Sequence, residues 1–263
     1  MSISIDLPNK RALVTGVSSG IGAGIAEMLA RAGCDIAGCG LEAVTSEGAK
    51  RFVVSVEKEG RRAYYQSLNI AEEKVARTFV DWASAQLGGL DLVVSNAGRN
   101  VFKGVEQTSE ADWEANIDLN LAAHWRVAQA AKHYLDKVDN PVIIIITSNH
   151  AFRTIPNSFP YNAAKAALTA LVNSMAIEWG PHIRAVGIAP GFIDTPLADA
   201  WFNEFPDPAA KRAQIESLHP VGRLGTPSDV GALCVFLCSP LAGNISGTTI
   251  LTDGGRSAVM QDG

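Results

Sequence analysis

A tyrosine and a lysine stand four residues apart in a stretch of otherwise small and apolar residues, SFPYNAAKAALTALV at 158–172. On a helix Tyr161 and Lys165 would share one face, because positions i and i+4 are neighbours. An ammonium group beside a phenol favours the phenolate, so we expect Lys165 to lower the pKa of Tyr161. A phenol with a lowered pKa can act as an acid or base near neutral pH. The pair therefore predicts proton transfer with a bound substrate.

A third polar side chain, Ser148, follows the apolar run VIIIIT and precedes Tyr161 by 13 residues. Its hydroxyl can donate and accept hydrogen bonds, so it could hold the same substrate oxygen. Taken singly, each of these three residues also fits an ordinary packing role. Their combination with the glycine turn described next favours catalysis.

The first apolar run leads into TGVSSGIGAG, which places glycines at positions 16, 20, 22 and 24. Glycines allow a tight turn in which the backbone approaches a pyrophosphate at a helix N-terminus. The common G-x-G-x-x-G pattern is not met, because a pattern that begins at Gly20 would have its third glycine at position 25, which is Ile25. The turn lies between the first predicted strand and the first predicted helix, which favours nucleotide binding over packing.

Short apolar runs alternate with longer helical patterns along the chain. Several runs are apolar at successive positions, as in strands buried on both faces of a parallel sheet. We predict an α/β fold, a Rossmann-type doubly wound, mostly parallel seven-stranded sheet with helices on both faces. Residues 1–263 would form one domain, with a substrate-covering insertion around 192–226. The predicted strands are 12–16, 35–40, 63–68, 91–96, 142–148, 183–190 and 248–253.

Several polar or glycine-containing groups follow predicted strands that are distant in sequence. Asn96-Ala97-Gly98, Ser148 and Pro190-Gly191 each come at the carboxyl end of a strand. Ligands of open α/β sheets bind along that edge. The topology therefore predicts that these groups meet at one site.

The chain has 263 residues and a formal net charge of −5, with no basic cluster. We therefore expect no nucleic acid and no membrane as partner, and no run approaches the ~20 apolar residues of a membrane span. The start MSISIDLPNK has no apolar signal core, so we expect a cytoplasmic protein. The four cysteines have no metal-binding spacing, so we expect buried thiols and no metal site. They are Cys34, Cys39, Cys234 and Cys238.

In these motifs the sequence resembles the classical short-chain dehydrogenase/reductase family over essentially its whole length. The resemblance implies a single Rossmann-type domain, a nicotinamide cofactor, and hydride transfer between that cofactor and an alcohol or carbonyl. It also implies a homotetramer that acts on a small molecule. The matching pieces are TGVSSGIG (15–22), SNAG (95–98), Asn120 in DLNL, Ser148 in TSN, YNAAK (161–165), APGFIDTP (189–196) and TDGG (252–255).

The resemblance assigns a role to each of four catalytic residues. Tyr161 would exchange a proton with the substrate oxygen, and Ser148 would hold that oxygen. Lys165 would lower the pKa of Tyr161 and bind the nicotinamide ribose. Asn120 would support a water that links Lys165 to solvent.

The resemblance also implies a cofactor site. Ile193, through its backbone, and Thr195, through its side chain, would meet the nicotinamide carboxamide. Asn96 would brace the central strands, and Asn69 stands where the family usually has an Asp that contacts adenine. The implied cofactor-binding residues are Gly16, Ser18, Ser19, Gly20, Ile21, Gly22, Leu41, Glu42, Asn69, Ile70, Asn96, Ala97, Gly98, Tyr161, Lys165, Pro190, Gly191, Ile193 and Thr195.

NAD is expected rather than NADP. Gly40 stands where relatives that use NAD usually have an Asp, and Leu41 where relatives that use NADP commonly have an Arg. No cation is present to pair with a 2′-phosphate, and Glu42 would repel one. Glu42 or a backbone amide would then contact the ribose hydroxyls.

The substrate site is expected beside Ser148 and Tyr161, after Gly98, and under the insertion. Its mixture of aromatic, hydrogen-bonding and cationic groups favours a sugar, polyol or sugar acid. The alternatives are a 3-oxoacyl-(acyl carrier protein) reductase or another ketone reductase of the family, and a non-catalytic nucleotide-binding sensor. The candidate residues are Arg99, His150, Arg153, Asn157 and Trp201, with Asn100, Phe152, Phe202 and Phe205 beside them.

Overall fold

The computed structural model describes residues 5–259. Its seven strands form one sheet in the order β3-β2-β1-β4-β5-β6-β7, and every neighbouring pair is parallel. The predicted Rossmann-type sheet is thus confirmed, and in the described residues it is wholly parallel. The strands are β1 Arg11–Thr15, β2 Asp35–Gly40, β3 Ala63–Ser67, β4 Leu92–Ser95, β5 Val142–Ile146, β6 Arg184–Pro190 and β7 Thr248–Thr252.

Helices cover both faces of this sheet. Helices α1, α2 and α9 contribute to one hydrophobic core, and α3, α5 and α6 contribute to the other. Short helices α4, α7 and α8 belong to the connections at the carboxyl edge. The bounds are α1 Gly20–Arg31, α2 Glu47–Glu57, α3 Glu73–Leu87, α4 Glu110–Ile117, α5 Ala123–Leu135, α6 Tyr161–Trp179, α7 Pro196–Phe202, α8 Pro208–Ser217 and α9 Pro227–Cys238.

Strand β5 shows why the run VIIII carries no polar alternation. Val142, Ile144 and Ile146 pack into one core, whereas Ile143 and Ile145 pack into the other. Successive side chains of a strand point to opposite faces, so a strand covered on both sides must be apolar at every position.

The insertion predicted around 192–226 folds into α7 and α8. Both helices begin with a proline that follows a capping side chain, since Thr195 accepts from Ala198 N and Asp207 accepts from Ala210 N. Proline is favoured there because the first helical amide has no helical partner. A small apolar cluster of Ala198, Phe202 and Leu224 lies beneath.

The four cysteines are buried free thiols. Within residues 5–259 no helix is long and apolar enough to cross a membrane. That the whole of 1–263 forms one domain stays a prediction, because residues 1–4 and 260–263 lie outside the described part.

Helices α1 and α9 approach each other closely at two glycines. A Cβ on Gly24 would lie 2.7 Å from the backbone carbonyl carbon of Pro227, and one on Gly231 would lie 2.7 Å from the Gly24 oxygen. Both distances are shorter than van der Waals contact. Gly24 therefore serves helix packing, whereas Gly16 and Gly20 shape the preceding turn.

We predict that Gly24→Ala destabilises the protein. The added methyl overlaps backbone atoms of Pro227, and overpacking of this kind costs about 1–3 kcal/mol, which exceeds the gain in helix propensity. Urea unfolding measures the change. Gln86→Ala, on the exposed face of α3, is the control and should stay within about 0.5 kcal/mol of the parent. Equal stability of the two variants would contradict the packing role of Gly24.

Candidate active site

The loops after β1 and β4 are joined at the point where the strand order reverses. The Asn96 side chain donates through Nδ2 to the carbonyl oxygen of Thr15 at 2.9 Å and to that of Gly16 at 3.3 Å. The Thr15 hydroxyl accepts from the backbone amides of Asn96 and Ala97, each at 2.9 Å. The two loops therefore hold a fixed relative position at the switch point, where open α/β sheets bind ligands.

The glycine turn is shaped to receive an anion. Gly16 and Gly20 have φ values of +76° and +56°, in the left-handed region that favours glycine, and a Cβ on Gly22 would overlap the Gly16 carbonyl oxygen. Helix α1 begins directly after the turn, and its N-cap Ser19 makes no side-chain capping bond. The first amides of α1 are thus available to a phosphate. These features fit the pyrophosphate of a dinucleotide.

Tyr161 is the first residue of α6 and is buried beside Ser148. Burial disfavours the phenolate and raises the pKa of Tyr161 to about 12, although a hydrogen bond with Ser148 acts in the opposite direction. The Ser148 hydroxyl also accepts from the backbone amide of His150 at 3.2 Å. The Tyr161 phenol and the Ser148 hydroxyl therefore lie side by side, as binding of one substrate oxygen by both groups requires.

Lys165 lies one turn further along α6, with Nζ 5.7 Å from the centre of the Tyr161 ring. Its ammonium donates to the carbonyl oxygen of Ile146 at 3.0 Å, and burial lowers its pKa to about 7. The expectation that Lys165 lowers the pKa of Tyr161 is wrong for the protein by itself. Burial penalises the charged forms of both groups and is the largest cause of each shift.

Asn120 lies in a π-helical turn, Asp118–Ala122, between α4 and α5. Its Oδ1 accepts from the amide of Arg99 at 3.1 Å, and its Nδ2 donates to the Arg99 carbonyl at 2.9 Å. A Cβ on Gly98 would lie 2.8 Å from Asn120 Oδ1 and 3.5 Å from Lys165 Nζ. Asn120 thus fixes the loop after β4 against the catalytic lysine, and a side chain at position 98 would obstruct this approach.

The adenosine end of the predicted site is a cleft of about 560 Å³, whose lining includes Leu41, Asn69 and Arg99. Asn69 Oδ1 accepts from the amide of Ala71 at 3.2 Å, which turns the loop and leaves the amide NH₂ as a donor. Ile70 is buried in the core, so only its backbone could face a cofactor.

The nicotinamide end is formed by the chain after β6. Ile193 makes a parallel bridge with Gly225, and Thr195 caps α7. The Thr195 methyl carbon would lie 3.4 Å from a Cβ on Gly20, so this segment faces the glycine turn. A Cβ on Gly191 would lie 2.6 Å from Asp253 Cβ, which explains a glycine after Pro190. Apart from Tyr161 and Lys165 on α6, the predicted cofactor residues thus lie in five segments at the carboxyl edge, 16–22, 41–42, 69–70, 96–98 and 190–195.

The predicted substrate residues do not all gather at Tyr161. His150 does, with ring centres 6.0 Å apart, and it bonds Thr154 Oγ1 at 3.1 Å. Arg99 is held nearby through its backbone. Arg153 is exposed, and Asn157 faces Gly104. Trp201 packs on the aromatic rings of the insertion, Phe192, Phe202 and Phe205.

Three residues at this site were not predicted from the sequence. The Phe102 ring centre lies 5.4 Å from those of Tyr161 and His150. Buried Asn116 accepts from Asn120 at 2.9 Å and donates to the Pro160 carbonyl at 3.0 Å, linking the π-helical turn to the start of α6. The i, i+4 spacing of Asn116 and Asn120 could have indicated from the sequence that the two side chains are neighbours on one helix face. Buried His124 bonds Ser95 Oγ at 2.8 Å, and burial keeps its pKa well below the usual value.

The chain is similar to known proteins over nearly its whole length. The family model described as Enoyl-(Acyl carrier protein) reductase matches residues 16–257. 3beta-hydroxysteroid dehydrogenase 1 of Eggerthella lenta is 33% identical over 96% of this chain and 95% of its own. Cis-4-hydroxycyclohexanecarboxylate dehydrogenase of Sinomonas cyclohexanicum is 31% identical over 94% and 96%. The ligand-free aldohexose dehydrogenase of Thermoplasma acidophilum superposes with a TM-score of 0.87 at 25% identity, covering 97% of each chain.

The fold and the site together define a nicotinamide-dependent oxidoreductase that acts on CH–OH groups. The chain belongs to the short-chain dehydrogenase/reductase family, as its motifs predicted. When bound, the nicotinamide supplies or accepts the hydride. That Ser148 holds the substrate oxygen and Tyr161 exchanges its proton stays a prediction.

We predict that Tyr161→Phe abolishes most turnover while nicotinamide binding persists. The ring keeps its packing on Phe102, whereas the proton carrier is lost, which lowers kcat by about 10²–10⁴-fold. NADH fluorescence measures binding, and absorbance at the NADH band measures turnover. Tyr134→Phe is the control, because it removes an exposed phenol bonded to Asp81 far from the site. Its kcat should be unchanged, and an equal loss in both variants would contradict the assignment.

The raised pKa of Tyr161 also fixes a pH dependence. Oxidation requires the deprotonated phenol, so its rate should increase as pH rises toward the pKa, whereas reduction uses the protonated phenol, which predominates up to pH 10, so its rate should change little over that range. Initial rates in both directions between pH 6 and pH 10 test this. An oxidation rate that is flat or falls with pH would remove Tyr161 from the proton path.

Proposed function

We propose that this protein is an NAD-dependent dehydrogenase of secondary alcohols carried on a ring. Oxidation would break the C–H bond of the alcohol carbon to give a hydride to NAD and pass the hydroxyl proton to Tyr161, leaving a ketone and NADH. The observation that carries the substrate class is the wall of Phe102 and His150 rings beside the phenol. Flat aromatic faces pack well on the C–H face of a ring.

The surroundings of this wall are apolar and open. Phe102 is 41% exposed, and the segment that leads from Ser148 to Tyr161 leaves Phe152 and Ile155 43% and 54% exposed. Uncovered apolar side chains next to a reactive group favour a ligand that buries them. An alicyclic alcohol satisfies this best, and two relatives are named for ring alcohols, a 3β-hydroxysteroid and a hydroxycyclohexanecarboxylate.

A sugar, polyol or sugar acid is the second candidate, as the sequence predicted. His150 supplies a polar group beside the phenol, and the aldohexose dehydrogenase shares the fold. An acyl group on a carrier protein is less favoured, since such a carrier is acidic and no basic cluster is present in the sequence. A non-catalytic nucleotide sensor is less favoured because Ser148, Tyr161 and Lys165 are all present.

A substrate panel tests the class. We predict NAD reduction with cyclohexanol-type and hydroxysteroid substrates, and a lower kcat/KM with aldohexoses, cyclic polyols and sugar acids. Phe102→Ala should raise KM for alicyclic alcohols at least about 10-fold, since a packed aromatic ring contributes more than 1 kcal/mol. Trp113→Ala, which removes an aromatic ring stacked on Phe159, is the control. Turnover confined to open-chain or polyhydroxylated substrates would overturn the alicyclic assignment.

The cofactor proposal rests on Glu42. Its carboxylate accepts a hydrogen bond from Ser18 Oγ at 2.5 Å, and its backbone carbonyl accepts from Tyr65 at 2.9 Å. A Cβ on Gly40 would lie 2.7 Å from Tyr65 Oη and 2.8 Å from Ser18 Oγ, so the usual Asp would displace both side chains. These contacts support Glu42, two residues later, as the carboxylate that binds the adenosine ribose and repels a 2′-phosphate.

We predict that NADH binds at least about 10-fold more tightly than NADPH, and that Glu42→Gln reduces this preference. Removing the charge removes the repulsion of the 2′-phosphate. Fluorescence titration with each dinucleotide measures the two Kd values without a substrate. Glu47→Gln, at an exposed carboxylate of α2 paired with Lys50, is the control and should keep the preference. Tighter NADPH binding by the parent protein would refute NAD as the cofactor.

A homotetramer remains part of the proposal. The edge strand β7 leaves Leu251 43% exposed, and α6 leaves Ile177 81% exposed. Exposed apolar groups on an edge strand and a neighbouring helix are suited to contacts between identical subunits.

A further inference from the structure

One arginine in the insertion joins three separate segments. Arg212, on α8, places Nη2 2.9 Å from Asp194 Oδ1 and 2.7 Å from Asp199 Oδ1. Asp194 belongs to the chain after β6, and Asp199 belongs to α7. The guanidinium also lies 4.8 Å from the centre of the Phe202 ring. A planar guanidinium can serve two carboxylates and one ring face together, which an ammonium cannot do with the same geometry.

Asp194 occupies a special position in this arrangement. It lies between Ile193 and Thr195, the two residues proposed to meet the nicotinamide. Its amide donates to the carbonyl oxygen of Gly225 at 2.8 Å, and the next residue, Thr195, faces Gly20 of the glycine turn. A displacement of Asp194 would therefore move the segment that faces the cofactor.

The insertion is otherwise packed mainly on itself. Trp201 contacts Phe205 with ring centres 4.8 Å apart, and Lys211 lies 4.8 Å from the Phe205 ring centre. Within residues 5–259 the buried apolar cluster below consists of Ala198, Phe202 and Leu224, and α8 adds the partly buried Ile215 to it. Polar contacts consequently matter more for holding α8 on the body of the protein than they do for a helix with a large apolar face.

We propose that Arg212 is a positioning residue that couples the substrate-covering insertion to the nicotinamide-binding segment through Asp194. Closure of α7 and α8 and retention of the cofactor then depend on one another. This inference rests on the proposed NAD-dependent function. It gives the insertion a second task besides covering the substrate, which is to slow the departure of the dinucleotide.

The test measures NADH binding to the Arg212→Gln variant. Fluorescence titration gives Kd, and stopped-flow displacement gives the dissociation rate. We expect Kd to rise at least about 5-fold, the lower end of ordinary coupling between sites, and mainly through faster dissociation. Thermal unfolding of the same samples shows whether the variant is folded. Arg212→Lys keeps the positive charge but not the planar group that serves two carboxylates, so its Kd should lie between those of the parent and Arg212→Gln.

Two further variants separate coupling from a general loss of an ion pair. Arg223→Gln breaks an equally short pair with Asp229, 2.6 Å long, which does not involve residues 193–195, and it should bind NADH like the parent. Asp194→Asn should reproduce the effect of Arg212→Gln, and the double variant should add nothing further, since coupled residues are not additive.

The inference is overturned if Arg212→Gln binds NADH within 2-fold of the parent, or if Arg223→Gln weakens binding equally. Additive effects of Asp194→Asn and Arg212→Gln would also overturn it. If the parent protein binds neither NADH nor NADPH, the proposed function itself fails, and the coupling fails with it.

Discussion

Every strand of the sheet runs in the same direction, so all seven carboxyl ends meet at one edge. Parallel strands leave backbone groups unpaired there, and loops must satisfy or present them. Asn96 and Thr15 use side chains to fix two of these loops at the point where the strand order reverses. The glycine turn, the proposed catalytic residues and the proposed nicotinamide-binding segment are all arranged around that fixed point. The site is therefore a consequence of the sheet topology rather than of any single motif.

Burial governs the chemistry at this edge. The phenol of Tyr161 and the ammonium of Lys165 both lose hydration, and burial moves their pKa values to about 12 and about 7. Burial thus favours the neutral form of each group unless a further charge or hydrogen bond compensates. A nicotinamide bound in its oxidised form would bring a positive charge to the site, and that charge would favour the phenolate of Tyr161.

Much of the fold followed from local pattern. The run VIIII predicted a strand buried on both faces, since polar residues cannot lie under either helix layer, and β5 has that environment. The glycine-rich motif predicted a turn between the first strand and the first helix. The substrate residues were predicted less well. Trp201 and Asn157 have side chains that suit a pocket, yet they make their contacts elsewhere. The irregular segments that carry them have no periodicity that tells which way a side chain points.

The sequence by itself determined the family, because the residues proposed to move the proton and to form the phosphate-binding turn have fixed types and short local spacing. Tertiary structure alone decided what those residues meet. Phe102 contacts Tyr161, 59 positions further along the chain, and Arg212 meets Asp194 through the fold of the insertion. Burial, which sets the Tyr161 pKa, is likewise a sum over neighbours from distant segments. Contacts and desolvation of that kind arise only when the chain is packed.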